Sequence, residues 1–214
     1  MADILDQIIQ IPFGEDHYYK ATYNKEQIVL HHSTTNGTAQ ALADYWETLE
    51  NRIGTPLIID KDGVIHQLFS SRYYAGHIGD VSNEMKKFNL PFRSCSKTSI
   101  GIEVINMGGL VRKGDVLYNS FGTEYSGEIV ELANEYRGFT IFAKYTDKQI
   151  DSMRRVLIYL CNRYEIPKTY HDDIWSVNVR ALSGEKGVFV HGSFREDKSN
   201  LYPDERVIQM LKSL

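Results

Sequence analysis

The sequence predicts an α/β protein, a single domain built on a mixed central β-sheet flanked by helices on both faces. Three observations carry this. Short apolar, β-prone runs alternate with amphipathic helical stripes. Two of the runs are joined by a tight turn, which adds an antiparallel hairpin to the alternation. The length of 214 residues and 42% apolar content suit one generous domain, residues 1–214, without a second.

Residues 1–26 read as an N-terminal arm, in which Ile4, Leu5, Ile8, Ile9 and Ile11 form a short helix or strand before Pro12 and an irregular aromatic stretch follows. Gln27-Ile28-Val29-Leu30 is then a strand that delivers His31 and His32 into the small, polar Ser33-Thr34-Thr35. Residues 38–53 carry Leu42, Tyr45, Trp46, Leu49 and Ile53 at helical spacing, with Gly54 as the stop. The runs 56–60 and 64–69 flank Lys61-Asp62-Gly63, whose glycine supplies positive φ to a hairpin turn. Residues 70–97 are long and polar, with Gly76, Gly79 and Pro91, and are expected to form a loop bordering a site.

Residues 99–105 form a buried-type strand interrupted by Glu103. A carboxylate there is costly unless it is paired, associated with a metal or set at a cleft. A variable, insert-like stretch spans 107–140. Thr146 and Gln149 make a capping box that opens a helix striped by Ile150, Met153, Val156, Leu157, Leu160, Cys161 and Tyr164, ending at Ile166-Pro167. Gly187-Val188-Phe189-Val190 is a second apolar run ending in histidine, His191. The last helix takes Pro203 in its first turn, Asp204 and Glu205 at its positive end, and Val207, Met210, Leu211 and Leu214 on one face.

A net charge of −4 and a pI near 6.0 argue against nucleic acid as the main partner. Cys95 and Cys161 lack Cys-x-x-Cys spacing, so neither a zinc ribbon nor a disulfide framework is expected. No run reaches the ~18 apolar residues of a membrane span, and the start of the chain lacks a basic, then apolar, leader. Cytoplasmic synthesis without a membrane anchor is the expectation.

Side chains alternate along a strand, so His31 and His32 face opposite ways and cannot both serve one site. Taken alone, the dipeptide is most simply a structural pair at a strand-to-loop corner. The second strand ending in histidine, at His191, turns attention to a shared site. The segments Ile28-Val29-Leu30-His31-His32-Ser33-Thr34, Ser99-Ile100-Gly101-Ile102-Glu103-Val104-Ile105-Asn106 and His191-Gly192-Ser193-Phe194-Arg195-Glu196-Asp197-Lys198-Ser199-Asn200 resemble, in order, three signature segments of the zinc-dependent N-acetylmuramoyl-L-alanine amidases. That family also contains T7 lysozyme and the animal peptidoglycan recognition proteins. The resemblance covers residues 27–204 and implies the same fold, a mostly β central sheet flanked by helices.

It also implies a set of roles. His31 and His191 would be two ligands of a catalytic zinc, which ordinarily has three protein ligands and one position left for water. The family's third ligand is a cysteine or aspartate two residues after a lysine, and here that position is Asn200. A neutral amide oxygen can bind a metal with less Coulombic attraction than a carboxylate; Asp197, Asp204 or Asp172 are the alternatives. Glu103 is the candidate general base and Lys198 the cation that stabilises the oxyanion. His77, in His77-Ile78-Gly79, would line the substrate groove, His32 would support the ligands from behind, and His17, His66 and His171 read as ordinary polar residues. The implied reaction is hydrolysis of the amide between the lactyl group of N-acetylmuramic acid and L-alanine in peptidoglycan, by a monomeric phage or prophage endolysin that reaches the wall after release. A metal-free peptidoglycan-binding protein is the second expectation, and a metallohydrolase of another amide the third.

Overall fold

The computed structural model describes residues 4–214. A 3-10 turn at Ile4–Gln7 leads into β1 (Ile8–Gln10), then β2 (Gln27–His32), α1 (Ala39–Glu47), β3 (Leu57–Ile59), β4 (Ile65–Gln67), α2 (Ser82–Lys87), the single turn α3 (Cys95–Thr98) and β5 (Ser99–Val104). Next come β6 (Gly109–Lys113), β7 (Val116–Asn119), β8 (Glu124–Tyr125), β9 (Ile129–Tyr136) and β10 (Phe139–Ala143). The chain closes with α4 (Asp147–Tyr164), α5 (Val179–Ser183), β11 (Gly187–Val190) and α6 (Glu205–Lys212).

The central sheet has the order β1-β4-β3-β5-β2-β11 and is mixed. β2 lies parallel between β5 and β11, and β3 and β4 are the antiparallel hairpin. Every residue of β2 and β5 is buried, which is why these runs read as continuous apolar stretches. On one face, Ile28, Leu30, Ile100, Ile102, Val104, Val188 and Val190 meet α4 and α6 through Met153, Val156, Leu157, Leu160, Val207 and Leu211. On the other, α1 brings Ala39, Leu42, Ala43 and Trp46 against Ile58 and Ile105, beside Phe69 and the stacked Tyr18 of the N-terminal arm. Helices therefore cover both faces, as expected.

Several local expectations change. α1 is capped by Thr38 as its spacing predicts, but ends at Glu47. Gly54, at φ 157, is extended backbone packed on Trp46 and not the helix stop. The arm is not merely irregular, because β1 pairs in parallel with β4 and extends the central sheet. Residues 1–3 of that arm lie outside the described residues. Pro203 precedes the cap of α6 instead of sitting in its first turn, and the cap is Asp204, which accepts from Arg206 N. The largest change is the insert-like stretch. It folds into a second sheet of five antiparallel strands, ordered β8-β7-β6-β10-β9. β9 and β10 meet at the two-residue turn Arg137-Gly138, with both residues at positive φ (52° and 87°), the geometry that matches strand twist in tight hairpins.

Candidate active site

The register of the central sheet assembles the site before any side chain is considered. His31 lies directly opposite Glu103 of β5, and β11 runs in step with β2 so that His191 follows Val190, the partner of Leu30. Residues opposite one another in a ladder share a face, with strands about 4.8 Å apart. His31 and Glu103 therefore occupy one face of the sheet. His32 points to the other, where its Nδ1 meets the Tyr145 hydroxyl at 2.7 Å under Tyr202. Gly108 makes room there, since a Cβ on it would stand 2.6 Å from His32 Nε2.

Three imidazoles form a chain on the site face. His31 Nδ1 is 3.0 Å from His191 Nδ1, and His31 Nε2 is 3.0 Å from His77 Nδ1. His77 Nε2 is 2.9 Å from Ser99 Oγ. The tautomers follow from the ends of this chain. Ser99 spends its proton on the Cys95 carbonyl, so it must accept from His77 Nε2–H. His77 Nδ1 is then the acceptor for His31 Nε2–H. At the other end His191 Nε2 donates to the Ile78 carbonyl at 3.0 Å. Each ring in its neutral form carries one N–H, so both facing Nδ1 atoms present lone pairs. Two lone pairs at that distance repel unless a cation lies between them.

A proton is disfavoured in that place. Burial pushes His31 well below the ordinary histidine range, and the charges of its neighbours, Lys198 among them, push the same way. Burial likewise holds His191 at about 4 and His77 at about 3. A divalent metal suits the donors better. Two nitrogens at ~2.0–2.1 Å from a tetrahedral zinc stand roughly 3.3 Å apart, close to the separation observed. The committed second nitrogens supply the outer hydrogen bonds that metal-binding histidines normally have. Among the described residues no three histidine, cysteine or carboxylate side chains converge into a metal-holding group.

The remaining candidates are placed as follows. Glu103 is 7% exposed, and its carboxylate makes no hydrogen bond or ion pair among the described residues; burial raises its pKa to about 8. Lys198 is close enough to both histidines for its charge to depress their pKa values, and lies 3.5 Å from Asp197. Asn200 donates from Nδ2 to the His32 carbonyl at 2.9 Å, which fixes the amide's orientation and leaves Oδ1 without a partner among the described residues. The alternatives are engaged elsewhere: Asp197 with Arg195, Asp204 with Arg206 and the α6 cap, while Asp172 opens a 3-10 turn at Asp172–Trp175. His77 has both ring nitrogens occupied, one behind His31 and one on Ser99. Its loop is anchored by the buried Lys25 ammonium, which donates to the carbonyls of Tyr73, Lys97 and Ser99. Gly101 lets that ring approach, since a Cβ there would be 3.1 Å from it.

Ser99, Tyr145 and Lys25 are absent from the sequence-level candidates. Ser99 opens the Glu103 segment and could have been found there; the other two carry no local signal.

A family model of the N-acetylmuramoyl-L-alanine amidases matches residues 22–196, and the chain belongs to this family. Its fold is similar to that of the endolysin N-acetylmuramoyl-L-alanine amidase LysCS from Clostridium intestinale URNW, at 16% identity, with 95% of this chain and 94% of that one covered and a TM-score of 0.53. It is similar too to the catalytic domain of XlyA (14% identity, 96% and 97% covered, TM-score 0.54) and to a selenomethionine derivative of AmpD (17%, 96% and 94%, 0.54). No curated protein sequence matches the chain.

Proposed function

We propose that the protein is a zinc-dependent amidase that cleaves the bond between N-acetylmuramic acid and L-alanine in peptidoglycan, as a phage or prophage endolysin. The observation that carries this is the pair of facing Nδ1 lone pairs of His31 and His191, on the same sheet face as the unpartnered carboxylate of Glu103. His31 and His191 would hold the zinc, with Asn200 Oδ1 as the third protein donor. Bound zinc would supply an acidified water and a polarised scissile carbonyl. Glu103 takes up a proton and returns it to the leaving amine. Burial opposes the ionisation this needs, and a cation held on the same face favours it. The Lys198 ammonium faces the charge that develops on the carbonyl oxygen. His77 keeps His31 in the tautomer that presents Nδ1, a positioning role.

One observation favours a second reading, a peptidoglycan-binding protein without turnover: Asn200 stands where the family carries a cysteine or aspartate. Metal stoichiometry and clearing of purified sacculi, measured on one sample, separate the two. The amidase holds close to one zinc per chain and clears sacculi until chelated. A binding protein pellets with sacculi and never clears them, with or without zinc.

A further inference from the structure

We infer that Arg137 is a positioning residue for the metal centre, setting from the second sheet the loop that carries His191, Lys198 and Asn200. The guanidinium sits at the tip of the β9–β10 hairpin and donates from Nη2 to the Gly192 carbonyl at 3.0 Å and from Nη1 to the Glu196 carbonyl at 2.9 Å. Gly192 follows His191 directly and Glu196 lies two residues before Lys198, so one planar group ties both ends of the stretch that separates the ligand from the lysine. Only the fork of an arginine reaches two carbonyls at once from one rigid plane.

Two further observations point the same way. Arg137 is at φ 52°, in a turn where asparagine, aspartate or glycine is strongly preferred, so the backbone is strained to keep this side chain there. The loop is also shaped to receive the hairpin. A Cβ on Gly192 would stand 2.5 Å from the hydroxyl of Tyr136, the residue before Arg137, so only glycine allows this approach. That hydroxyl is buried beside the Arg137 side chain, and its ring packs edge-on against Trp175. The contact is thus held by steric fit and by the arginine fork. On its far side the loop is fastened independently, by Ser193 Oγ to the Ile174 carbonyl and Asn178 N to the Ser193 carbonyl. Arg137 supplies the fastening from the second sheet.

The inference rests on the metal site proposed above, while its contacts do not. The test is Arg137→Gly, which relieves the turn while removing the fork, alongside Arg137→Lys, which keeps the charge. The thermal midpoint of Arg137→Gly should equal or exceed that of the parent. Amide hydrogen exchange over 191–200 should nevertheless quicken at least tenfold, with β2 and β5 unchanged. Zinc affinity by chelator competition should fall about 10-fold or more in both variants, the scale of lost outer contacts. Millimolar guanidinium should restore part of it in Arg137→Gly. Unchanged exchange over 191–200, or zinc affinity within twofold of the parent, overturns the inference, as does a lowered midpoint that accounts for the zinc loss. If the parent itself binds no zinc, the proposed function fails, and the exchange measurement alone decides the role of Arg137.

Discussion

His31 Nδ1 and His191 Nδ1 face each other at 3.0 Å, and the hydrogen bonds on the far sides of the two rings leave both atoms unprotonated. The arrangement is paid for by acceptors two steps away. Ser99, itself committed to the Cys95 carbonyl, fixes His77, and His77 fixes His31. Ser99→Ala should therefore weaken zinc about 10-fold through a residue that would never touch the metal. Chelator competition gives the value, and an unchanged affinity would mean that the imidazole chain does not set the tautomer.

Glu103 gives a pH signature to the metal-free protein. Burial raises its folded pKa to about 8 from an ordinary 4.5. Between those values the folded state keeps a proton that the unfolded chain has released. Its contribution to stability is then full below about pH 4.5, declines as pH rises, and levels off above 8. Glu103→Gln removes this dependence. Urea unfolding of chelated samples at pH 5 and pH 8 should show the variant gaining on the parent, by up to about 1.4 kcal/mol per pH unit. An equal difference at both pH values contradicts the burial of an uncompensated carboxyl.

Behind the sheet, Tyr145→Phe leaves the buried His32 Nδ1 without its partner. A loss of about 1–3 kcal/mol in unfolding free energy is expected. Zinc content should stay near the parent's, because His32 faces away from the site. Metal loss at retained stability would place His32 among the ligands.

Much of this was legible in the sequence. The strands that end in His31 and His191 and the strand interrupted by Glu103 are continuous apolar runs because they are the central, fully buried members of the sheet. The capping box at Thr146 was legible as well, since its two bonds are local. The second sheet was missed because its strands are half exposed and its alternation is weak, as in Glu131-Leu132-Ala133-Asn134-Glu135. Its strongest local sign, Arg137-Gly138 between two β-prone runs, hides behind an arginine that such turns disfavour. The imidazole chain could not be read at all, because His31, His77, Ser99 and His191 are joined only by the fold.

Asn200→Asp should tighten zinc. A carboxylate adds a full charge at bonding distance, where the Coulomb interaction is large even at an effective dielectric of about 20, less the cost of desolvating the aspartate. Chelator competition at pH 7 should show the gain, together with activity retained or raised at limiting zinc. An identical affinity removes Asn200 from the ligand set and moves the search to Asp197, Asp204 and Asp172.

The most direct test of the account is the identity of the bond broken. Purified sacculi treated with the zinc-loaded protein should release stem peptides whose new amino terminus is L-alanine, with no new reducing sugar ends. The release should stop on chelation and be absent with Glu103→Gln, which still holds zinc. New sugar ends, amino termini other than L-alanine, or undiminished release by Glu103→Gln would contradict it.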